Sequence, residues 1–164
     1  MTLQISPLDD SHDRAVFECG VEPLDRYFKT QAGQDVRKRV ASCFVLTADG
    51  PAPIAFYTLA ATSIGLRELP GSVAKKLPRY PSVPATLMGR LAVDRRYRGQ
   101  RFGELMIMDA FSRTLRSEIA TYAFVVDAKD ETAESFYKAF QFLPLGEAGH
   151  RFFIPMAEIA KLFA

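Results

Sequence analysis

The stretch from Met88 to Met106 constrains the fold more than any other part of the sequence. It reads MGRLAVDRRYRGQRFGELM, an apolar strand-like run, then two glycines among arginines, then apolar residues at helical spacing. A strand that passes through a glycine-containing loop into a helix leaves unpaired N–H groups at the helix N-terminus, where the helix dipole adds partial positive charge. The junction therefore predicts a phosphate-binding site in a sheet flanked by helices.

The remaining patterns extend this junction into a mixed α/β sheet. A first strand is followed by two short helices within residues 22–40, divided at Gly33. Strands over 42–49 and 53–63 form a hairpin, and a proline-rich loop from Gly65 to Pro84 separates them from the strand over 86–93. The later elements are a helix over 101–119, a buried strand over 122–128 typical of a parallel sheet, a helix over 131–140, strands over 142–145 and 151–155, and a helix over 156–164. We expect one domain spanning residues 1–164.

Composition indicates a soluble protein from a reducing compartment. The chain has 164 residues, of which 48% are hydrophobic and 24% charged, so one core can form without disulfides or metals. Cys19 and Cys43 show no paired spacing, and no apolar run approaches the roughly 18 residues that span a bilayer. His12 and His150 are not spaced as metal ligands. We expect a cytoplasmic protein without a membrane segment or a metal.

The positive charges are clustered although the net charge is only +2. That net charge predicts no polyanionic partner by itself, and each cluster alone is typical of a solvated surface. The clusters are Arg37-Lys38-Arg39, Lys75-Lys76 with Arg79, and Arg95-Arg96 with Arg98 and Arg101. Their meaning depends on whether they share a surface.

The segment LAVDRRYRGQRFGELMIMDA resembles the coenzyme A pyrophosphate loop of the GNAT superfamily of N-acetyltransferases, whose signature is R/Q-x-x-G-x-G/A. The likeness covers nearly the whole chain. It is sharpest to the GNAT toxins that acetylate aminoacyl-tRNA and are neutralised by ribbon-helix-helix antitoxins, through FECGVEPLDRYF, AFYTLAA, MGRLAVD, VVDAKDETAESFYKAFQF and FFIPMAEIAKLF. This resemblance implies the GNAT acyl-CoA N-acyltransferase fold, acetyl-CoA as co-substrate, aminoacyl-tRNA as acceptor, an antitoxin partner and a homodimer.

The resemblance also implies the residues that would bind acetyl-CoA: Leu91, Ala92, Val93, Arg98, Gly99, Gln100, Arg101, Phe102 and Gly103. Two positions depart from the family pattern, because Arg101 replaces the first loop glycine and Gln141 replaces the glycine that usually ends the next-to-last helix. With ordinary helical dihedrals, the amide of Arg101 can still face a phosphate. A positive φ there would cost about 1–2 kcal/mol and weaken binding.

Tyr137, in SFYKAF, lies where the resembled family carries its tyrosine general acid. Without the resemblance, a tyrosine on an amphipathic helix is more typical of a core. Asp94 and Asp127 end strands and are candidates for a general base, but such residues usually form turns or caps. Much of the amine of an aminoacyl ester is already neutral at physiological pH without a base, because an α-amine has a pKa near 7.7–8.0 and the ester lowers it further.

Four basic residues are the predicted contacts to tRNA: Arg37, Lys38, Arg39 and Arg90. Arg90 lies beside the active-site strand and would contact the terminal phosphate or the aminoacyl carbonyl. Its alternative role is a salt bridge with Asp94 or another carboxylate across the sheet.

Three functions remain open at this point. The first is an aminoacyl-tRNA N-acetyltransferase toxin that blocks translation. The second is a GNAT enzyme that acetylates a peptide, a protein or a small-molecule amine. The third is a non-catalytic module that binds an antitoxin, an alternative that rests on the altered loop at Arg101.

Overall fold

The structure is a computed structural model that describes residues 2–164. Its strands are β1 (Leu3–Pro7), β2 (Ser42–Ala48), β3 (Pro53–Gly65), β4 (Ser82–Val93), β5 (Ala123–Asp127), β6 (Leu143–Pro144) and β7 (Arg151–Pro155). Its helices are α1 (Glu22–Thr30), α2 (Ala32–Arg37), α3 (Gly71–Ala74), α4 (Phe102–Leu115), α5 (Glu131–Ala139) and α6 (Met156–Leu162). The seven strands form one sheet in the order β1-β2-β3-β4-β5-β7-β6.

The pairing of the strands confirms the predicted mixed sheet. β1 and β2 are antiparallel, and β2 and β3 form the predicted antiparallel hairpin. β4 pairs in parallel with β5, with Ala85–Met88 opposite Ala123–Val126, whereas β7 is antiparallel to both β5 and β6. β5 is the continuously apolar strand expected of a parallel pair, and its residues from Ala123 to Val126 are all buried.

The described chain divides into two compact units. The first contains the residues up to Ala60 together with Gly89–Ser112, and the second contains Ala61–Met88 together with Arg113–Ala164. Whether these units make up one domain, as the sequence suggests, stays a prediction. In the described residues 2–164, no helix combines the length and the apolar composition needed to cross a membrane.

An aromatic cluster forms the centre of the first unit. The rings of Phe28 and Phe56 stack with centroids 4.2 Å apart, and Phe17 meets both rings edge-on at 5.0 and 5.6 Å. All three side chains are fully buried. Burial of an aromatic side chain contributes about 1.5–3 kcal/mol, so this cluster fixes α1 against the hairpin strands.

The second unit has its own core beneath the proline-rich segment. Ile64, Leu69 and Val83 are buried together with Val125 and Phe153. The prolines do not exclude regular structure, because β3 continues to Gly65, a 3₁₀ turn and α3 follow, and β4 begins before Pro84. The prediction of one irregular loop from Gly65 to Pro84 was therefore wrong.

Two further boundaries differ from the sequence prediction. The break between α1 and α2 lies at Gln31, whose side chain donates to Asp35 at 2.9 Å, whereas Gly33 lies inside α2. α4 ends at Leu115 instead of residue 119. There the Ser117 hydroxyl accepts a hydrogen bond from the Ile119 amide, and such local side-chain bonds compete with helical ones.

Gln141 ends α5 in a backbone conformation that normally requires glycine. Its φ is 71°, its amide donates to the Lys138 carbonyl at 2.9 Å, and the Phe142 amide donates to the Tyr137 carbonyl at 3.3 Å. The rings of Phe142 and Tyr137 have centroids 5.5 Å apart. This pair of bonds with its apolar contact is a Schellman motif, in which the left-handed position is usually glycine.

Replacement of Gln141 by glycine should stabilise the protein by about 0.5–1 kcal/mol. Left-handed strain costs about 1–2 kcal/mol for a residue with Cβ, and the greater freedom of glycine in the unfolded chain offsets about 0.4–1 kcal/mol of the gain. Urea unfolding of Gln141→Gly measures the change. Ser135→Gly is the control. Ser135 has an exposed side chain in the middle of α5, where glycine should lower the free energy of unfolding by about 0.5 kcal/mol. Equal losses in both variants would contradict the strain at Gln141.

Candidate functional site

The loop after β4 is organised around the fully buried carboxylate of Asp94. Asp94 caps a 3₁₀ turn at Arg95–Tyr97 and accepts the Arg96 amide at 2.9 Å, as well as two bonds from the Arg96 guanidinium at 3.0 and 3.1 Å. It also accepts the Glu18 amide at 3.1 Å. Burial alone would raise the pKa of Asp94, but the hydrogen bonds from Arg96 and Glu18 outweigh it and lower that pKa. Asp94 is therefore a cap, as one reading of the sequence predicted.

Two arginines of the loop fasten it to the segment that precedes α1. Arg95 forms an ion pair with Glu18 at 3.1 Å, and its amide donates to the Glu18 carbonyl at 2.9 Å. Arg98 donates to the Cys19 carbonyl at 2.7 Å. The guanidinium of Arg98 passes so close to Gly20 that a Cβ there would lie 2.5 Å from it. These contacts fix the path of the loop. One N–H group of the Arg98 guanidinium is used in the bond to the Cys19 carbonyl.

The amides at the start of α4 are free to bind an anion. Within the part of the chain that the structure describes, the N–H groups from Gly99 to Glu104 donate no hydrogen bond. Arg101 has a φ of 62°, and its carbonyl accepts the Leu105 amide at 3.2 Å. Arg101 therefore does not adopt helical dihedrals, and it carries the strain of about 1–2 kcal/mol that the sequence left open. Because the folded protein carries this strain before any ligand binds, the strain lowers stability and not anion affinity, contrary to the expectation of weaker binding, and the predicted amide row remains available.

Arg90 lies over an aromatic ring, and among the described residues it forms no ion pair with a carboxylate. Its guanidinium carbon lies 3.5 Å from the centroid of the Tyr27 ring. Asp94, the alternative partner predicted from sequence, is bound by Arg96. No hydrogen bond or ion pair joins Arg90 to another residue within 2–164, so its N–H groups can reach a ligand. Stacked arginine of this kind keeps both its charge and its donor geometry.

Arg37, Lys38 and Arg39 lie at the end of α2, and all three are exposed. We call them the basic turn. Arg39 has a φ of 60°, and its amide donates to the Val36 carbonyl at 3.2 Å. The basic turn, Arg90 and the loop after β4 all belong to the first unit.

Tyr137 lies on α5 in the second unit. This helix begins at the cap Asp130, whose carboxylate accepts the Ala133 amide at 2.8 Å. Tyr137 is only 6% exposed, and burial, together with the negative charge of Asp127, raises its pKa to about 12. Its hydroxyl has no hydrogen-bond partner among the described residues. A buried phenol of this kind stays protonated at every physiological pH and can donate that proton.

The other titratable candidates have structural partners. Asp127 forms a two-bond pair with Arg151 at 2.7 and 2.9 Å. The ring of His12 accepts the Asp9 amide at 3.1 Å, and the ring of His150 lies 3.2 Å from the Ala148 carbonyl. Among the described residues, no group of three or more His, Cys, Asp and Glu could hold a metal ion. Cys19 and Cys43 are both buried and unpaired with each other.

Curated relatives match the chain over most of its length. The probable toxin TacT of Sinorhizobium fredii is 30% identical over 96% of this chain and 93% of its own. A tRNA-acetylating toxin of Mycobacterium tuberculosis is 33% identical over 82% of this chain and 81% of its own. This chain belongs to the GNAT acetyltransferase toxins. No protein-family model matches it.

Solved structures of GNAT toxins share the fold. A tyrosine-to-phenylalanine mutant of KacT has a TM-score of 0.91 and 26% identity, covering 99% of this chain and 100% of its own. AtaT complexed with acetyl-methionyl-tRNAfMet has a TM-score of 0.91 and 30% identity over the same shares. A tyrosine-to-phenylalanine mutant of AtaT, bound to the C-terminus of the antitoxin AtaR and acetyl-CoA, has a TM-score of 0.83 and 26% identity, covering 99% of this chain and 98% of its own.

Sequence reasoning on this GNAT toxin missed the residues that support the site. Tyr27 fits the apolar side of α1 and gave no sign that it carries Arg90. Glu18 and the Cys19 carbonyl lie about 80 positions before the arginines they bind, so no local pattern connects them. The only available signal was the family-like segment FECGVEPLDRYF, which contains all three residues.

Loss of the Asp94 charge should weaken the hydrogen bonds that hold the loop after β4 and should change how the free energy of unfolding depends on pH. Because folding lowers the pKa of Asp94, its contribution is complete above the unfolded pKa of about 3.9 and declines as pH falls through the lower folded value. Asp94→Asn should destabilise by about 2–4 kcal/mol at pH 7, with a smaller difference from wild type at pH 2–3. Urea unfolding at both pH values tests this, and a difference that does not shrink in acid would contradict it.

Proposed function

We propose that this chain uses acetyl-CoA to acetylate the α-amine of aminoacyl-tRNA and thereby blocks translation. The observation that carries the proposal is the unpaired amide row from Gly99 to Glu104, in a member of the tRNA-acetylating toxin family. The similar protein AtaT has been solved with acetyl-methionyl-tRNAfMet, and a mutant of AtaT with acetyl-CoA. The non-catalytic alternative rested on Arg101, and the amide row remains intact around that residue.

The amide row and the strand before it supply the acetyl-CoA site. The amides of Gly99 to Gly103 would bind the pyrophosphate, where the N-terminal end of α4 favours negative charge. Arg98 and Arg101 would add positive charge, Arg98 from a fixed position because it is bound to the Cys19 carbonyl. The backbone of Leu91, Ala92 and Val93 would hold the acetyl carbonyl and the pantetheine arm. Acetyl-CoA supplies the thioester whose acetyl group is transferred.

Tyr137 would protonate the departing sulfur. With a pKa near 12 it keeps its proton throughout the working range of the protein. Transfer to a thiolate whose conjugate acid is near 8.5 is uphill by roughly 3–4 pKa units, or about 5 kcal/mol. The loss of a proton by the acetylated amine must therefore offset the unfavourable transfer from Tyr137 to the thiolate, and these two proton transfers must be closely coupled.

No carboxylate is required to deprotonate the acceptor. Asp94 is held by Arg96 and Glu18, and Asp127 is paired with Arg151, so neither is free to act as a base. The amine of an aminoacyl ester is already largely neutral near pH 8. After acetyl transfer, water would carry the amine's proton to the tyrosinate that Tyr137 becomes when it protonates the sulfur.

Arg90 and the basic turn would bind the acceptor end of tRNA. The guanidinium of Arg90 forms no ion pair or hydrogen bond among the described residues, which leaves its donors for a phosphate or the aminoacyl carbonyl. The exposed basic turn would contact the phosphate backbone, giving affinity with little sequence information. We further propose a ribbon-helix-helix antitoxin as partner, a homodimer, and action in the cytoplasm, where tRNA is charged.

Labelled acetyl-CoA and charged total tRNA test the function directly. We expect label on the α-amine of one or more aminoacyl-tRNAs and loss of protein synthesis in a cell-free translation reaction. Uncharged tRNA should accept none. Label on proteins or free amines, with none on aminoacyl-tRNA, would favour the broader GNAT alternative.

Tyr137→Phe should lower turnover by about 10²–10⁴-fold, because general acid catalysis contributes on that order. The ring would keep its contacts with Phe136 and Phe142, so stability and acetyl-CoA affinity should hardly change. Turnover on charged tRNA and calorimetry with acetyl-CoA measure the two effects. Wild-type turnover in the folded variant would make Tyr137 a core residue only.

Lys38→Glu should raise KM for tRNA and leave acetyl-CoA affinity unchanged. Loss of one phosphate contact should also reduce the slope of log KM against log salt concentration by about one. Lys161→Glu is the matched control, since Lys161 is an exposed lysine near the C-terminus of the second unit. Equal effects of both substitutions would indicate a response to net charge instead of a local contact.

A further inference from the structure

Tyr27, Asp35 and Arg90 form a continuous set of contacts across three elements of the first unit. The Arg90 guanidinium on β4 lies on the Tyr27 ring, at 3.5 Å from the centroid. The Tyr27 hydroxyl on α1 donates to Asp35 Oδ2 on α2 at 2.8 Å. The Gln31 side chain donates to Asp35 Oδ1 at 2.9 Å, so both carboxylate oxygens have donors.

The backbone of Asp35 holds the basic turn. Its carbonyl accepts the amides of Val40 at 2.9 Å and Ala41 at 3.4 Å. With the bond from the Arg39 amide to Val36, this closes a Schellman motif around the left-handed Arg39. Strain at a residue with Cβ persists only where the surroundings fix the backbone, and Asp35 provides that constraint.

Tyr27 is suited to this connecting role. Its side chain is 9% exposed, and burial followed by the hydrogen bond to Asp35 raises its pKa well above the usual value. Hydrogen bonds from Gln31 and Tyr27 lower the pKa of Asp35. Donor and acceptor therefore keep their roles throughout the physiological pH range.

We propose that Tyr27 and Asp35 are positioning residues that hold the Arg90 guanidinium and the basic turn in one arrangement for the phosphates of the tRNA acceptor end. This inference rests on the proposed function. Its physical reason is entropic, because an arginine held against a ring and a turn with one backbone conformation lose little freedom when they bind. Neither Tyr27 nor Asp35 need contact the substrate.

Tyr27→Phe is the primary test, because it removes the hydroxyl and keeps the ring under Arg90. Tyr57→Phe is the matched control, since it removes another tyrosine–aspartate bond of the first unit, at 2.6 Å to Asp109 on α4. We expect hydrogen exchange at the Val40 amide to be about tenfold faster in Tyr27→Phe and unchanged in Tyr57→Phe. KM for charged tRNA should rise about fivefold in Tyr27→Phe alone, with kcat within about twofold and acetyl-CoA affinity unchanged.

Substitutions of Asp35 provide an independent test if Tyr27→Phe does not fold. Asp35→Asn keeps an oxygen acceptor for the Tyr27 hydroxyl, whereas Asp35→Ala has none. Hydrogen exchange at the Val40 amide should therefore be slower in Asp35→Asn than in Asp35→Ala. Unchanged Val40 exchange in folded Tyr27→Phe, or equal exchange in the two Asp35 variants, would overturn the inference. The exchange measurements need no substrate, so they remain decisive even if wild-type protein fails to acetylate aminoacyl-tRNA, a result that would overturn the proposed function instead.

Discussion

A buried carboxylate at the end of β4 sets the path of the loop on which the site depends. A charge removed from water is tolerated only when hydrogen bonds surround it, and Asp94 obtains them from Arg96 and the amide of Glu18. This requirement ties the loop to the segment before α1. Arg95 and Arg98 strengthen the same connection. The amides that follow are then left without partners inside the protein, which is the condition for binding an anion.

Strained residues recur in this protein where glycine would be the ordinary choice. Arg39, Arg101 and Gln141 all have left-handed φ values of 60–71°. At Arg39 and Gln141 the strain is held by Schellman motifs at the ends of α2 and α5, next to the basic turn and Tyr137 respectively. At Arg101 it lies within the amide row. These three positions adjoin residues proposed to bind or react, whereas the fourth left-handed residue with a side chain, Asp49 with a φ of 53°, lies in the turn between β2 and β3.

The chemistry assigned to Tyr137 and to Arg90 follows from two different kinds of burial. Burial of Tyr137 keeps a phenol neutral, so its proton remains available for the proposed transfer to the leaving thiolate. Arg90 is partly buried and stacked on Tyr27, and within the described residues its N–H groups have no hydrogen-bond partner. Tyr137 is thereby held as a neutral acid and Arg90 as a cation.

Local periodicity and short motifs were enough to predict the loop between β4 and α4, the family, and the order of the strands and helices apart from α3. The same patterns misplaced the helix break at Gly33, the end of α4 and the structure of the proline-rich segment, where side-chain bonds at Gln31 and Ser117 and burial of Leu69 outweigh local propensity. No sequence pattern indicates that Arg90 stacks on Tyr27, that Asp94 binds Glu18 or that Arg98 binds the Cys19 carbonyl. These contacts join residues more than 60 positions apart, and folding alone brings them within bonding distance.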